Sequence, residues 1–371
     1  MKIFAYWIMI FYTSVICKLL HILTEKEEAM EKHIIFGGTG FIGSHVVEVL
    51  AKQNVKCSAI VRKTSDTRFL EQLGVEIIRL DSFAESPLSK ALQNCDVVYN
   101  CIADVHPHKS LEDYNKTQVE LTTTIAKAAI QAKVKRFVQL STVEVYGDTP
   151  NDYINEDYAL NPLFTFQQSM LDREIALKNL VKNQAMELVL LRPAGTIGRR
   201  SIFMNMFKTA HAKGCFPVIA GGITISSMID TRDIGRAMLF LGRQPTLDAQ
   251  TFVVKGYEAS WMDIKNAMDK VVGKSTKIQN LPKAMASFLG GILKKITPYG
   301  KVPFLTPFMV HVTTQPLLID DSRLHKLGFT SQYSLLDSVE YVMSEREEPI
   351  EKQTAVMAKV KKQNNHSLCL D

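Results

Sequence analysis

His33-Ile34-Ile35-Phe36, followed at once by Gly37-Gly38-Thr39-Gly40-Phe41-Ile42-Gly43, is the stretch that decides the fold. The first four residues read as a short apolar strand. The glycines satisfy both the G-x-x-G-x-x-G and the G-x-G-x-x-G spacings, and Ile42, Val46, Val47 and Leu50 then recur at helical spacing. Missing side chains let a backbone turn tightly and approach a phosphate, and the helix start offers unpaired N–H groups to the anion. A glycine triplet can also be a plain structural turn, but its place between a strand and a helix favours dinucleotide binding through Gly37, Gly40, Phe41, Ile42 and Gly43.

Working outward, apolar strands are expected at 55–61, 75–80, 97–103, 136–141 and 187–191. Helices are expected near 67–73 and 88–93 and over 117–132 and 164–182. Near-continuous apolar strands alternating with helices predict an α/β fold with a doubly wound, Rossmann-like parallel sheet covered on both faces. After Pro193 the pattern loses regularity. The expected body therefore spans 33–343, with a nucleotide-binding core mainly at 33–193 and a smaller, mostly helical C-terminal substrate portion, mainly 194–340, interleaved with it. No internal repeat or low-complexity linker separates the two.

The 371 residues, 46% of them hydrophobic, suffice for such a core and exclude a disordered chain. Forty-four basic against 38 acidic residues are spread along the chain, and the one dense basic block is Lys359-Val360-Lys361-Lys362, so nucleic acid is not an expected partner. Six cysteines, at 17, 57, 95, 101, 215 and 369, form no C-x-x-C pair, which points to a reducing compartment and to no cysteine-based metal site.

Residues 3–23 carry Lys18 as their one certain charge and are long enough for one membrane crossing. Three readings stay open for residues 1–29: a membrane anchor, an extension upstream of a true start at Met30, or a signal or buried helix. The first implies a body facing the cytoplasm from a membrane, the second a cytoplasmic protein. Residues 345–371 are polar and read as a flexible tail.

An acidic partner for the adenine ribose is expected about 20 residues past the glycine loop. The second strand instead runs into Arg62-Lys63, which favours NADP over NAD, with NAD still open. Asp81, beyond the third strand, could accept from the adenine amino group or cap a helix.

Several further stretches, in this order, carry a resemblance: Leu140-Ser141-Thr142-Val143-Glu144-Val145-Tyr146-Gly147, Leu191-Arg192-Pro193-Ala194-Gly195-Thr196-Ile197-Gly198, Met228 to Ala237 and Asp320 to Phe329. With the glycine loop they make the chain resemble the extended short-chain dehydrogenase/reductase superfamily, especially its NAD-dependent epimerase/dehydratase and 3-beta-hydroxysteroid dehydrogenase-like branches. The resemblance implies a tyrosine that exchanges a proton with substrate, a lysine that lowers its pKa and holds the nicotinamide ribose, and a Ser or Thr that bonds the substrate oxygen.

Thr142 stands at the Ser/Thr position. Ser169 and Glu174 fix the register in which Phe166 replaces the tyrosine and Met170 the lysine. Phenylalanine cannot exchange a proton, and methionine carries no positive charge. Pro193 resembles the segment that passes the nicotinamide end. Tyr146 could face a ligand, Tyr158 lies in the loop before the altered helix, and Asp172 and Arg173 are expected to contact solvent or a partner. His106 and His108 could approach the pocket, without a persuasive third ligand for a metal. Asp230, Arg232 and Asp233 are expected to organise the junction of the two lobes.

Two functions follow. One is an NAD(P)-dependent oxidoreductase or epimerase/dehydratase-like protein acting on a small molecule, with a sterol, isoprenoid or other lipid-like alcohol or ketone favoured and a nucleotide sugar open. The other is a catalytically inactive NADP-binding regulator or scaffold. Residues 284–296 have amphipathic spacing with lysines nearby, suited to a membrane interface or to covering a pocket. A homo-oligomer is compatible with either function.

Overall fold

The computed structural model describes residues 31–106, 109–247, 250–298, 303 and 305–344. The expectations for residues 1–29, His108 and 345–371 lie outside the described residues. Seven strands form the main sheet: β1 (His33–Phe36), β2 (Cys57–Arg62), β3 (Glu76–Leu80), β4 (Val97–Asn100), β5 (Arg136–Leu140), β6 (Glu187–Pro193) and β7 (Thr251–Val254). Their order is β7-β6-β5-β4-β1-β2-β3, and every neighbouring pair is parallel.

All four residues of β1 are buried. Ile34 and Phe36 join Ile60, Val98, Phe137 and Leu190 in one layer, while Ile35 joins Ala59, Tyr99, Val138 and Leu191 in the other. This is the alternation of a strand covered on both sides. Helices α1 (Phe41–Lys52), α2 (Thr122–Gln131), α3 (Thr165–Val181) and α4 (Thr231–Arg243) supply the covers. Ile125, Ala129 and Leu177 close the first layer, and Val46, Leu50, Met238 and Leu241 close the second.

Strand order reverses between β1 and β4, which opens a crevice at their carboxyl ends. There a Cβ on Gly37, whose φ is +75°, would lie 2.8 Å from the carbonyl carbon of Cys101, and one on Gly43 would lie 2.2 Å from the Gly37 oxygen. Only glycine allows the loop, the helix start and the end of β4 to meet.

The strand expected to run to 103 ends at Asn100. Cys101 still donates its N–H to the Phe36 oxygen at 3.0 Å, and the chain then leaves the sheet. The helix expected over 117–132 is also divided, because Lys116–Leu121 winds as a π turn before α2 begins.

Beyond β6 the chain builds a smaller, more helical region. It holds a three-stranded sheet of Gly195–Ile197, Ser226–Asp230 and Tyr257–Ala259 and a parallel pair, Cys215–Ile219 with Lys277–Leu281. Phe207 stacks between Phe216 and Trp261, with ring centroids 4.8 and 4.9 Å away. Helices α5 (Lys283–Ile296) and α6 (Pro307–Thr314) pack together around Ala286, Leu305 and Val310.

At the start of α4, Asp230 accepts from the Arg232 N–H at 2.8 Å and from its guanidinium at 2.9 and 2.7 Å. Asp233 accepts from the N–H groups of Gln332 and Tyr333. These charges tie the helix to the C-terminal segment. No helix among the described residues is long and apolar enough to cross a membrane.

His45 of α1 is fully buried. Its Nδ1 lies 2.8 Å from the Phe41 oxygen, and its Nε2 has no partner among the described residues. Burial, helped by the Arg200 charge, pushes the imidazole down to about 3. The folded chain thus keeps His45 neutral while the unfolded chain takes up a proton below about pH 6.5, so this contribution is full above that pH and is lost as pH falls toward 3. Between about pH 7 and pH 5, urea unfolding should show the native chain losing about 2 kcal/mol more than His45→Gln does.

Candidate functional site

The glycine loop leads straight into α1, whose N-cap is Gly40. No side chain caps the first turn, and no acidic residue lies in it. The first N–H groups therefore face the crevice unshielded. Bare backbone donors, a helix start and glycines that no Cβ can replace suit the diphosphate of a dinucleotide. The N–H of Gly40 is already given to the Gly37 oxygen at 2.9 Å, which leaves the loop around Thr39 and the first residues of α1, Phe41 and Ile42, to meet the anion.

At the adenosine end, Arg62 closes β2 and is exposed. Lys63 Nζ lies 3.1 Å from Asp81 Oδ1, with both side chains largely in solvent. Asp81 is thus a partner of Lys63. The end of β2 presents one guanidinium beside a neutralised pair, not the double cation expected from the sequence.

The reacting end is held by a buried network. Glu174 of α3 accepts from Ser141 Oγ at 2.5 Å and from the Arg192 guanidinium at 2.9 and 2.5 Å. Arg192 donates its remaining arm to the Tyr146 hydroxyl at 2.9 Å. Tyr146 is fully buried, so it braces Arg192 and does not face a ligand, contrary to expectation. The ring of Tyr158 packs on it, 6.1 Å away between centroids. Because Glu174 is pinned, Met170 and Phe166 sit one and two helical turns before it.

Phe166 is half-buried in an aromatic cluster. Its ring centroid is 5.8 Å from Tyr114 and 5.6 Å from Phe308 of α6. Phe164 lies 5.4 Å from Phe308 and 5.3 Å from His311. Met170 is 3% exposed. Pro193 ends β6, and the Ala194 N–H turns to the Val254 oxygen at 2.9 Å. Thr142 Oγ1 accepts the Glu144 N–H at 3.2 Å, which leaves its own proton to donate.

Arg173 departs from the solvent contact expected of it. It is wholly buried, and its guanidinium donates to the Ile102 and Leu140 oxygens at 3.0 and 2.7 Å, at the ends of β4 and β5. Burial lowers it to about 10, so it stays charged at neutral pH. Asp172 accepts from Gln168 at 2.7 Å.

Two carboxyl groups near the reacting end were not singled out in the sequence. Burial pushes Glu144 up, against a hydrogen bond from Gln167 Nε2 at 3.0 Å. Asp104 accepts from the His106 ring at 2.6 Å and from Lys109. Burial opposes its charge, but those two donors hold it down at about 2. The Asp104-x-His106 spacing was visible; the pairing was not. Among the described residues no three His, Cys, Asp or Glu side chains converge as a metal would require.

The family model for NAD dependent epimerases and dehydratases matches residues 33–254, and the chain belongs to that family. The low-salt glycan biosynthesis protein Agl12 of Haloferax volcanii is 23% identical over 256 residues, which are 65% of this chain and 83% of that protein. A ketoreductase of Stigmatella aurantiaca, named for 4-hydroxy-2-methyl-3-oxo-4-farnesyl-3,4-dihydroquinoline-1-oxide, is 20% identical over 306 residues, 80% of this chain and 91% of that one. The UDP-glucuronic acid 4-epimerase of Bacillus cereus, solved with UDP-glucuronic acid and NAD, shares the fold with a TM-score of 0.68 at 23% identity, covering 84% of this chain and 98% of that one.

These comparisons overturn the expected NADP preference. Structures of the Bacillus cereus enzyme and of MoeE5, similar in fold, contain NAD. The physical reason lies in the Lys63–Asp81 pair, which removes one of the two cations on which that expectation rested.

Glu174→Gln should leave Arg192 buried without its counter-charge. Chemical denaturation is expected to show a loss of about 3 kcal/mol or more, the usual cost of breaking a buried pair from one side.

Proposed function

We propose that this chain is an NAD-dependent oxidoreductase or epimerase-type protein. Its substrate would be a lipid-like alcohol or ketone, and its proton transfer would not rest on a tyrosine–lysine pair. The observation that carries the reading is the aromatic wall of Phe164, Phe166 and Phe308, which offers hydrocarbon where the family resemblance implies a phenol. The glycine loop and the start of α1 would hold the diphosphate, with Arg62 and Asp81 toward the adenosine and Pro193 toward the nicotinamide. NAD, when bound, supplies the hydride acceptor. Thr142 would donate its hydroxyl proton to a substrate oxygen, and Met170 and Phe166 would exclude water beside it.

The division into a nucleotide-binding core at 33–193 and a substrate portion at 194–340 belongs to the same proposal. The farnesyl group in the name of the Stigmatella ketoreductase supports an isoprenoid-bearing ketone. The UDP-sugars bound by the solved neighbours support a nucleotide sugar as the competing substrate.

A second reading is favoured by Phe166 and Met170 themselves: a catalytically inactive NAD-binding regulator. Calorimetric titration with NAD, followed by an NADH-consumption assay on farnesylated ketones and a chromatographic assay for the 4-epimer of UDP-glucuronic acid, separates the two. Binding with turnover supports the enzyme, binding without turnover supports the regulator, and no binding defeats both. Gly43→Ala should abolish NAD binding, because its Cβ would lie 2.2 Å from the Gly37 oxygen.

A further inference from the structure

We propose that α5 is a membrane-docking helix that lays its outer face on an anionic lipid surface. A helix that merely closes a domain turns its large apolar residues inward. Here the small Ala286 and Gly290 are the buried residues, packed toward α6. A Cβ on Gly290 would lie 3.0 Å from the Thr306 carbonyl carbon, so the two elements touch through backbone. Met285, Phe288, Leu289, Ile292 and Ile296 are left outside, with Phe288 69% and Ile296 68% exposed. Their spacing makes one continuous stripe, and a contiguous apolar surface of this kind marks an interaction site.

The charge around the stripe selects its occupant. From Lys270 to Ile319 the sequence holds seven lysines and no Asp or Glu, so this stretch alone carries more positive charge than the net +6 of the whole chain. Lys295 borders the stripe, Lys283 and Lys294 stand near the two ends of the same helix, and all three are exposed, without ion-pair partners among the described residues. An apolar stripe in a segment that carries one sign of charge, on side chains long enough to reach the headgroups, matches a surface that is negative outside and hydrocarbon just beneath, as an anionic bilayer is. Behind α5, α6 turns Phe308 toward Phe166, so docking would bring the reacting end to within one helix layer of the lipid. The inference rests on this surface and not on the catalytic reading.

The test uses the full chain and phosphatidylcholine vesicles with or without phosphatidylglycerol, each carrying a photoactivatable lipid, with the label mapped by peptide mass spectrometry. Label on 285–296 that needs phosphatidylglycerol and falls with added salt is expected. Replacing Lys283, Lys294 and Lys295 by Gln should weaken labelling of that segment by roughly a hundredfold in partition. Phe288→Asp with Ile292→Asp should remove it while leaving NAD binding intact. Label confined to residues before Met30, or label indifferent to charge, would overturn the proposal. So would protection of 283–296 from hydrogen exchange that appears with protein concentration alone, which would assign the stripe to a second copy of the chain.

Discussion

The ion pair between Glu174 and Arg192 is the constraint on which the reacting end depends. It joins the middle of α3 to β6, and through Ser141 and Tyr146 it reaches the segment that follows β5. Two charges this deeply buried survive only with most of their hydrogen-bonding capacity met, and the network meets it. With α3 locked at that point, the helix cannot rotate or slide to bring another residue to the position of Phe166. The absence of a phenol there is therefore a property of the fold as well as of the sequence.

Much of the architecture was legible because the main sheet is covered on both faces, and doubly buried strands leave nearly unbroken apolar runs. The glycine loop was legible for a different reason: three backbones meet there, and only one residue type fits. What escaped were features set by partners remote in sequence. The strand from Val97 reads as apolar through Ala103, yet its pairing stops at Asn100 because the chain must clear Gly37. The short strand Thr251–Val254 gains its place beside β6 from tertiary pairing.

Charged residues misled in both directions. Arg173 carries the composition of a surface residue, and its burial depends on two strand-end carbonyls that no local pattern reveals. Arg62-Lys63 looked like a phosphate-binding pair because the sequence does not show that Asp81, from beyond the neighbouring strand, reaches back to Lys63. Tyr146 lay inside a correctly read motif, but its direction is set by Arg192, a residue from another strand.

Arg173 also limits which side chains its helix can carry one turn earlier. Met170 lies three residues before it on the same helix, so the two side chains are neighbours. A lysine appearing at 170 by a single substitution would set a second cation beside a buried guanidinium, where the adjacent carboxylate is already shared by Ser141 and Arg192. Such like-charge crowding in a poorly solvated region opposes that substitution. Residue 170 is thereby confined to uncharged side chains for as long as Arg173 keeps its place between the two strand ends.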